Sequence, residues 1–201
     1  MNDKLIKIFD NFISEEESRV LSKWTLDNYQ ESFFIDPKMN NDSRQTRFST
    51  RHAYLRDNQY KNHKVKYPKE SFDIQKRIFE KFNLSYKNII PFPSFTDGII
   101  TTICFSPGSC SSHKDPIYFP NTYTIHCNFC TQIPESCGIT IIEGKEYHFN
   151  NRDMIVYATS HLEHEVTESY GDIPRVLWVF GFSLNYQQIS NIFDLKKFQY
   201  I

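Results

Sequence analysis

The stretch that decides the fold is His164-Glu165-Val166-Thr167-Glu168-Ser169-Tyr170-Gly171-Asp172-Ile173-Pro174-Arg175-Val176-Leu177-Trp178-Val179-Phe180. Two extended runs, 164–168 and 175–182, flank Gly171-Asp172, a dipeptide that favours a turn. The second run is rich in β-branched and aromatic residues, which suit a pleated, half-buried surface. If the chain reverses at Gly171-Asp172, the two runs form a hairpin. Arg175 then returns beside His164 as a direct or diagonal cross-strand neighbour, about 5–8 Å away at Cβ.

Working outward, the same texture extends upstream. Runs at 98–105, 121–132, 138–142 and 153–157 are apolar or alternating, and Pro107-Gly108, Pro134 and Gly144-Lys145 punctuate them. Short strands at this rhythm predict an antiparallel sandwich or barrel. Two helices precede it. Ser14 and Glu17 form a capping box, and Val20, Leu21 and Trp24 recur on one face behind it. A second helix is predicted over 69–82, with Ile74, Ile78, Phe79 and Phe82 as its core-facing stripe. Residues 186–201 read as a short helix and tail.

The chain of 201 residues, 39% hydrophobic and 16% aromatic, suits one domain with a real core. The expected organisation is a single domain over 1–201: a helical part at 1–96 and a catalytic core at about 97–185. Between the helices, residues 36–69 carry nine Lys or Arg against three Asp. This segment reads as a solvated arm or a substrate lid, in which Arg44, Arg47, Arg51 or Arg56 meets an anionic group; Arg47 and Arg51 are the candidates. The formal net charge is -1, so no global field recruits nucleic acid or a membrane. No apolar run approaches a membrane span, and the first residues lack a signal-peptide pattern, so a cytoplasmic protein is expected. The five cysteines are expected as reduced, partly buried thiols. Cys127-x-x-Cys130 is a poor zinc site, because positions three apart on a strand face opposite sides.

The chemistry rests on histidines. In His113-Lys114-Asp115, residues two apart project on one face of an extended chain, so one imidazole and one carboxylate can reach a single metal. The trio follows a strand and the turn Ser106-Pro107-Gly108, which places it at a sheet rim. His164 on a later strand can complete the set. Two His and one carboxylate leave three positions open, as iron(II) needs when it binds a bidentate cosubstrate and O2. His161 competes as third ligand; the expected hairpin favours His164, because it brings Arg175 within reach. An Arg there can pair bidentately with the far carboxylate of a five-carbon dicarboxylate.

In these motifs the chain resembles the 2-oxoglutarate- and iron(II)-dependent oxygenases, in particular the prolyl-4-hydroxylase-like branch. The resemblance covers about 99–182: Cys104-Phe-Ser-Pro-Gly108, His113-Lys-Asp115, Cys137-Gly-Ile-Thr140, Arg152-Asp153-Met-Ile-Val156, His164-Glu-Val166 and Arg175-Val-Leu-Trp-Val-Phe180. Ile8-Phe-Asp-Asn-Phe-Ile-Ser-Glu-Glu-Glu17 is similar to the opening of such domains. The resemblance implies a mainly β, double-stranded β-helix (jelly-roll, cupin-like) core with flanking helices. It implies Fe(II) on His113, Asp115 and His164, 2-oxoglutarate on Arg175, and O2 as co-reactant. Two motif positions depart from the family: Cys137-Gly138-Ile139-Thr140 stands where Gly-Gly-Glu-Thr is frequent, and Phe105 where tyrosine is. Thr102, Tyr123 and Thr124 are the candidates for the cosubstrate's near carboxylate. The implied reaction is hydroxylation or desaturation of an unactivated C–H; the carboxylate of Asp115 argues against halogenation. A small, amino-acid-like substrate is expected, with peptidyl hydroxylation and a non-catalytic cupin-like binding protein as alternatives. Nucleic-acid demethylation is disfavoured, because Gly181 stands where those relatives carry a second Arg.

Overall fold

Two antiparallel sheets face each other. The computed structural model of the chain describes residues 5–32, 50–55, 67–85, 98–117, 119–136 and 138–193. In chain order the elements are β1 (Ile6–Phe9), α1 (Glu15–Ser32), β2 (Thr50–Leu55), α2 (Lys69–Lys81), β3 (Gly98–Cys104), β4 (Gly108–His113) and β5 (Thr122–Gln132). Then follow β6 (Thr140–Ile142), β7 (Lys145–Tyr147), β8 (Met154–Ala158), β9 (His164–Ser169), β10 (Arg175–Asn185) and α3 (Tyr186–Ile189). The larger sheet runs β1-β8-β5-β10-β3-β2 and the smaller β4-β9-β6-β7. This is the antiparallel two-sheet arrangement that the strand rhythm predicts and the jelly roll that the resemblance implies. No described helix is long and apolar enough to cross a membrane.

The expected β9–β10 hairpin does not form. Residues 170–174 instead carry the chain from the small sheet to the large one. Tyr170 makes an isolated bridge with Ser136, and Gly171 follows with φ +144°, a conformation that L side chains rarely adopt. The cause lies in β10, which is apolar on both faces. Val176, Trp178 and Phe180 enter the main core, while Leu177 and Val179 join Ile100 in a separate patch between the sheets. Such a strand is best placed at the centre of a sheet, and β10 pairs with β3 on one side and β5 on the other. Pairing it only with the polar β9 would leave much of that surface wet.

Both helices pack on the outer face of the large sheet. The capping box of α1 is formed: the Glu17 amide donates to Ser14 Oγ (3.1 Å), and the Ser14 amide donates to Glu17 Oε2 (2.8 Å). Arg77 of α2 reaches the same Glu17 carboxylate at 2.9 Å. Val20 is only half-buried, and the face of α1 that packs inward is Ser18, Leu21, Ser22 and Thr25. Its hydroxyls bond the sheet directly. Ser22 Oγ donates to the Thr131 carbonyl (2.7 Å), and Thr25 Oγ1 donates to the Leu21 carbonyl (2.9 Å). With its one proton used, Thr25 accepts from Trp178 Nε1 (3.1 Å) and from the Thr101 hydroxyl (3.0 Å). In α2 the stripe Ile74, Ile78, Phe79 and Phe82 is buried as expected.

Within the segment read as an arm, Thr50–Leu55 forms an edge strand on β3, with Arg51 opposite Ile103. Arg44, Arg47 and Arg56 lie outside the described residues, as does Cys137. Cys104, Cys110, Cys127 and Cys130 form no disulfide. Cys127 lies in the main core, and its burial pushes the thiol pKa well up.

Candidate metal centre

β4 ends at His113 and β9 begins at His164, and the two residues are register partners. Their rings lie 4.2 Å apart between centroids. Nothing in Gly108-Ser-Cys-Ser-Ser-His113 favours a strand by propensity; pairing with β9 makes it one. Gly108 begins it under steric compulsion, since a Cβ there would meet Cys104 Sγ at 1.9 Å and the Phe105 carbonyl at 2.7 Å. Two residues beyond His113, the Asp115 amide donates to the Thr159 carbonyl (3.0 Å), which turns the Asp115 carboxylate inward. His113, Asp115 and His164 thereby place one ligand atom each within 4.8 Å of one another. Among the described residues this is the one such cluster of three or more His, Cys, Asp or Glu.

The hydrogen bonds fix which nitrogens face inward. His113 Nδ1 lies 2.8 Å from the Ser111 carbonyl, and His164 Nδ1 lies 3.0 Å from the Leu162 carbonyl. A carbonyl only accepts, so each Nδ1 carries a proton, which in the neutral imidazole leaves the lone pair on Nε2. Burial, with the neighbouring His113, lowers the His164 pKa to about 4, so this imidazole is neutral at pH 7. Burial also opposes ionisation of Asp115. The imidazoles of His126, His164 and His113 and a hydrogen bond from Thr159 outweigh it and hold the carboxyl below 3.8.

These residues fit a divalent cation. Asp115 Oδ2 is buried without a hydrogen bond, 3.5 Å from His126 Nε2, so the charge of the carboxylate is left for a cation to balance. Two imidazole lone pairs converge beside that carboxylate, which is the protonation state a metal requires. A donor set of two nitrogens and one carboxylate, with no thiolate, suits iron(II) and leaves coordination positions vacant. His161 stands apart: it stacks on Tyr123 at 4.1 Å and bonds Ser160 Oγ through Nδ1.

Arg175 opens β10 on the opposite sheet, paired with Cys104 of β3 rather than with β9, and is 6% exposed. The buried Tyr157 of β8 connects the two sides. Its ring meets His164 edge-on at 5.2 Å, and its hydroxyl accepts from Asn128 Nδ2 at 3.2 Å. Burial and then the Asp115 charge push the phenol pKa far up, while Arg175 acts in the opposite sense. The phenol therefore stays protonated. Leu177 and Val179 share a face of β10 with Arg175, and they cluster there with Ile100 of β3.

The remaining candidates separate. Thr102 stands opposite Leu177 on the face that carries Ile100. Thr124 is buried beside the turn after β8, where its amide donates to Ser160 Oγ (2.9 Å). Tyr123 packs against the outer core and is not brought to the ligands. His126, Asn128 and Tyr157 escaped the sequence reading. The usable signal was alternation: 124, 126 and 128 share one face of β5.

No family model matches the chain, and no curated protein matches it. Solved structures do. A Trichoplax adhaerens prolyl hydroxylase in complex with a hypoxia inducible factor peptide fragment is 13% identical, with a TM-score of 0.63 over 93% of this chain and 86% of that one. A Pseudomonas putida prolyl-4-hydroxylase is 9% identical, with a TM-score of 0.62 over 90% of this chain and 92% of that one. The chain shares the fold of these prolyl hydroxylases. The collagen prolyl hydroxylase of Paramecium Bursaria Chlorella virus-1, in its 2-oxoglutarate complex, is 11% identical, with a TM-score of 0.59 over 89% and 95%.

Proposed function

We propose that the protein is an Fe(II)- and 2-oxoglutarate-dependent dioxygenase that hydroxylates, or desaturates, an unactivated C–H bond. The observation that carries this reading is the convergence of His113, Asp115 and His164 on one point, with buried Arg175 on the facing sheet. Iron(II), 2-oxoglutarate and O2 together supply the oxidant for C–H chemistry when bound.

The chain's own residues do the rest. His113 and His164 offer Nε2 lone pairs in fixed orientations, and Asp115 offers the charge that balances the cation. Arg175 holds the far carboxylate of 2-oxoglutarate with its planar fork. Protonated Tyr157 donates to that carboxylate or to the metal-bound end. Ile100, Leu177 and Val179 keep water from the cosubstrate's methylenes, which strengthens the Arg175 pair.

The substrate is a small, amino-acid-like molecule on the sequence reading. A peptidyl substrate is the second reading, favoured by the fold neighbour that holds a peptide. A succinate-release screen of amino acids, short peptides and nucleic acids, with Fe(II) and 2-oxoglutarate, tests both. Coupled succinate release with one class assigns it, and no release above the substrate-free rate from any class counts against the enzyme reading.

A further inference from the structure

A third histidine faces the metal-binding carboxylate. His126 lies on β5, where it pairs with Gly181 of β10 and Tyr157 of β8. Its side chain is 12% exposed, and its Nε2 stands 3.5 Å from Asp115 Oδ2. The other carboxylate oxygen, Oδ1, faces the opposite way, 3.9 Å from His113 Nε2. Asp115 thus lies between two imidazoles with distinct roles. His113 presents a lone pair, because its proton is held on Nδ1 by the Ser111 carbonyl. His126 directs Nε2 at an oxygen that can only accept, so the tautomer that suits this contact carries its proton on Nε2.

The difference matters for a metal. A carboxylate can bind a cation through one oxygen or through both. Two-oxygen binding would take up a position that the cosubstrate or O2 needs. A donor on Oδ2 reserves that oxygen and leaves Oδ1 for the metal. We propose that His126 is a positioning residue: it donates from Nε2 to Asp115 Oδ2 and fixes Asp115 as a one-oxygen ligand oriented toward His113 and His164. This inference rests on the proposed metal centre. The contact comes from β5, outside the ligand motif. Partners of this kind typically contribute roughly 10–100-fold to metal affinity.

The test uses purified full-length protein under anaerobic conditions, with iron(II) and with cobalt(II) as a spectroscopic probe. Wild type, His126→Ala and His126→Gln are titrated with each metal, and the cobalt visible absorption, whose intensity follows coordination number, is recorded. The expected result for His126→Ala is a roughly 10–100-fold weaker iron(II) affinity and an altered cobalt band. His126→Gln restores an N–H donor and returns both readings toward wild type. Should His126→Ala not fold, His126→Leu fills similar space without a donor and is held to the same result. Unchanged iron affinity together with an unchanged cobalt band in the donor-less variant overturns the inference and leaves the proposed function standing. Unchanged iron affinity with weakened 2-oxoglutarate binding also overturns it, making His126 a cosubstrate contact. A wild type that binds no iron(II) removes the proposed function and this inference together.

Discussion

His113 and His164 face each other across the β4–β9 pair, register partners with rings 4.2 Å apart and both Nδ1 atoms tied to backbone carbonyls. Two strand ends therefore bring the two imidazoles together. Neither imidazole needs to rotate or change tautomer to accept a cation.

The first prediction follows from that pair. His113→Ala, His164→Ala and Asp115→Ala each weaken iron(II) binding by more than the roughly 100-fold that marks the upper end for outer partners. His161→Ala leaves affinity near wild type, since His161 is stacked on Tyr123. Anaerobic iron(II) titration measures all four. Loss of iron in His161→Ala with retention in His164→Ala would reassign the third ligand.

The second concerns pH. Burial lowers the His164 pKa from 6.5 to about 4 in the folded protein. Between those values the unfolded chain binds more protons, so metal-free stability is fully present above about pH 6.5 and falls toward pH 4. The difference corresponds to roughly 3 kcal/mol. Asp115, held below 3.8, adds a loss in the same direction only below that pH. Urea unfolding of the metal-free protein at pH 7, 6 and 5 reads the slope. His164→Gln should flatten it, and an equal slope in both proteins contradicts the assignment.

The third concerns the polar seam under α1. Thr25→Val keeps the shape but removes the acceptor for Trp178 Nε1 and the Thr101 hydroxyl. An unsatisfied buried donor costs about 1–3 kcal/mol. Urea unfolding at pH 7 should show a lower midpoint by a loss in that range. A midpoint at or above wild type would show that these donors find other partners.

How far the sequence was legible depends on the range of the interaction. The cluster of His113, Asp115 and His164 was readable because the two-residue spacing ties His113 to Asp115 locally, and because His113 and His164 stand at strand ends. The β9–β10 connection was not, because Gly171-Asp172 turns a chain equally well within a sheet or between two sheets. What decided it was the two-sided burial of β10, a tertiary demand. β2 was hidden in a basic segment, and β4 in a run of small polar residues that only its pairing with β9 makes extended. The inward face of α1 was read only in part, through Leu21 and Trp24, because hydroxyls of Ser18, Ser22 and Thr25 supply the rest of it. His126 and Tyr157 became visible only once β5 and β8 were adjacent.

The most direct test of the central claim is a 2-oxoglutarate titration of the iron(II)-loaded protein without O2, followed through the iron-to-cosubstrate charge-transfer absorbance. Arg175 is buried on the sheet facing the ligands. Truncating one member of a buried charge pair costs roughly 2–5 kcal/mol. At about 1.4 kcal/mol per tenfold, that is a loss of some thirty- to several-thousand-fold. Arg175→Ala should weaken 2-oxoglutarate binding by at least about thirtyfold while iron(II) binding persists. Arg175→Lys should fall between, since the charge remains but the fork is lost. Wild-type affinity for 2-oxoglutarate in Arg175→Ala would contradict the cosubstrate assignment, and with it the reading of this jelly roll as a 2-oxoglutarate oxygenase.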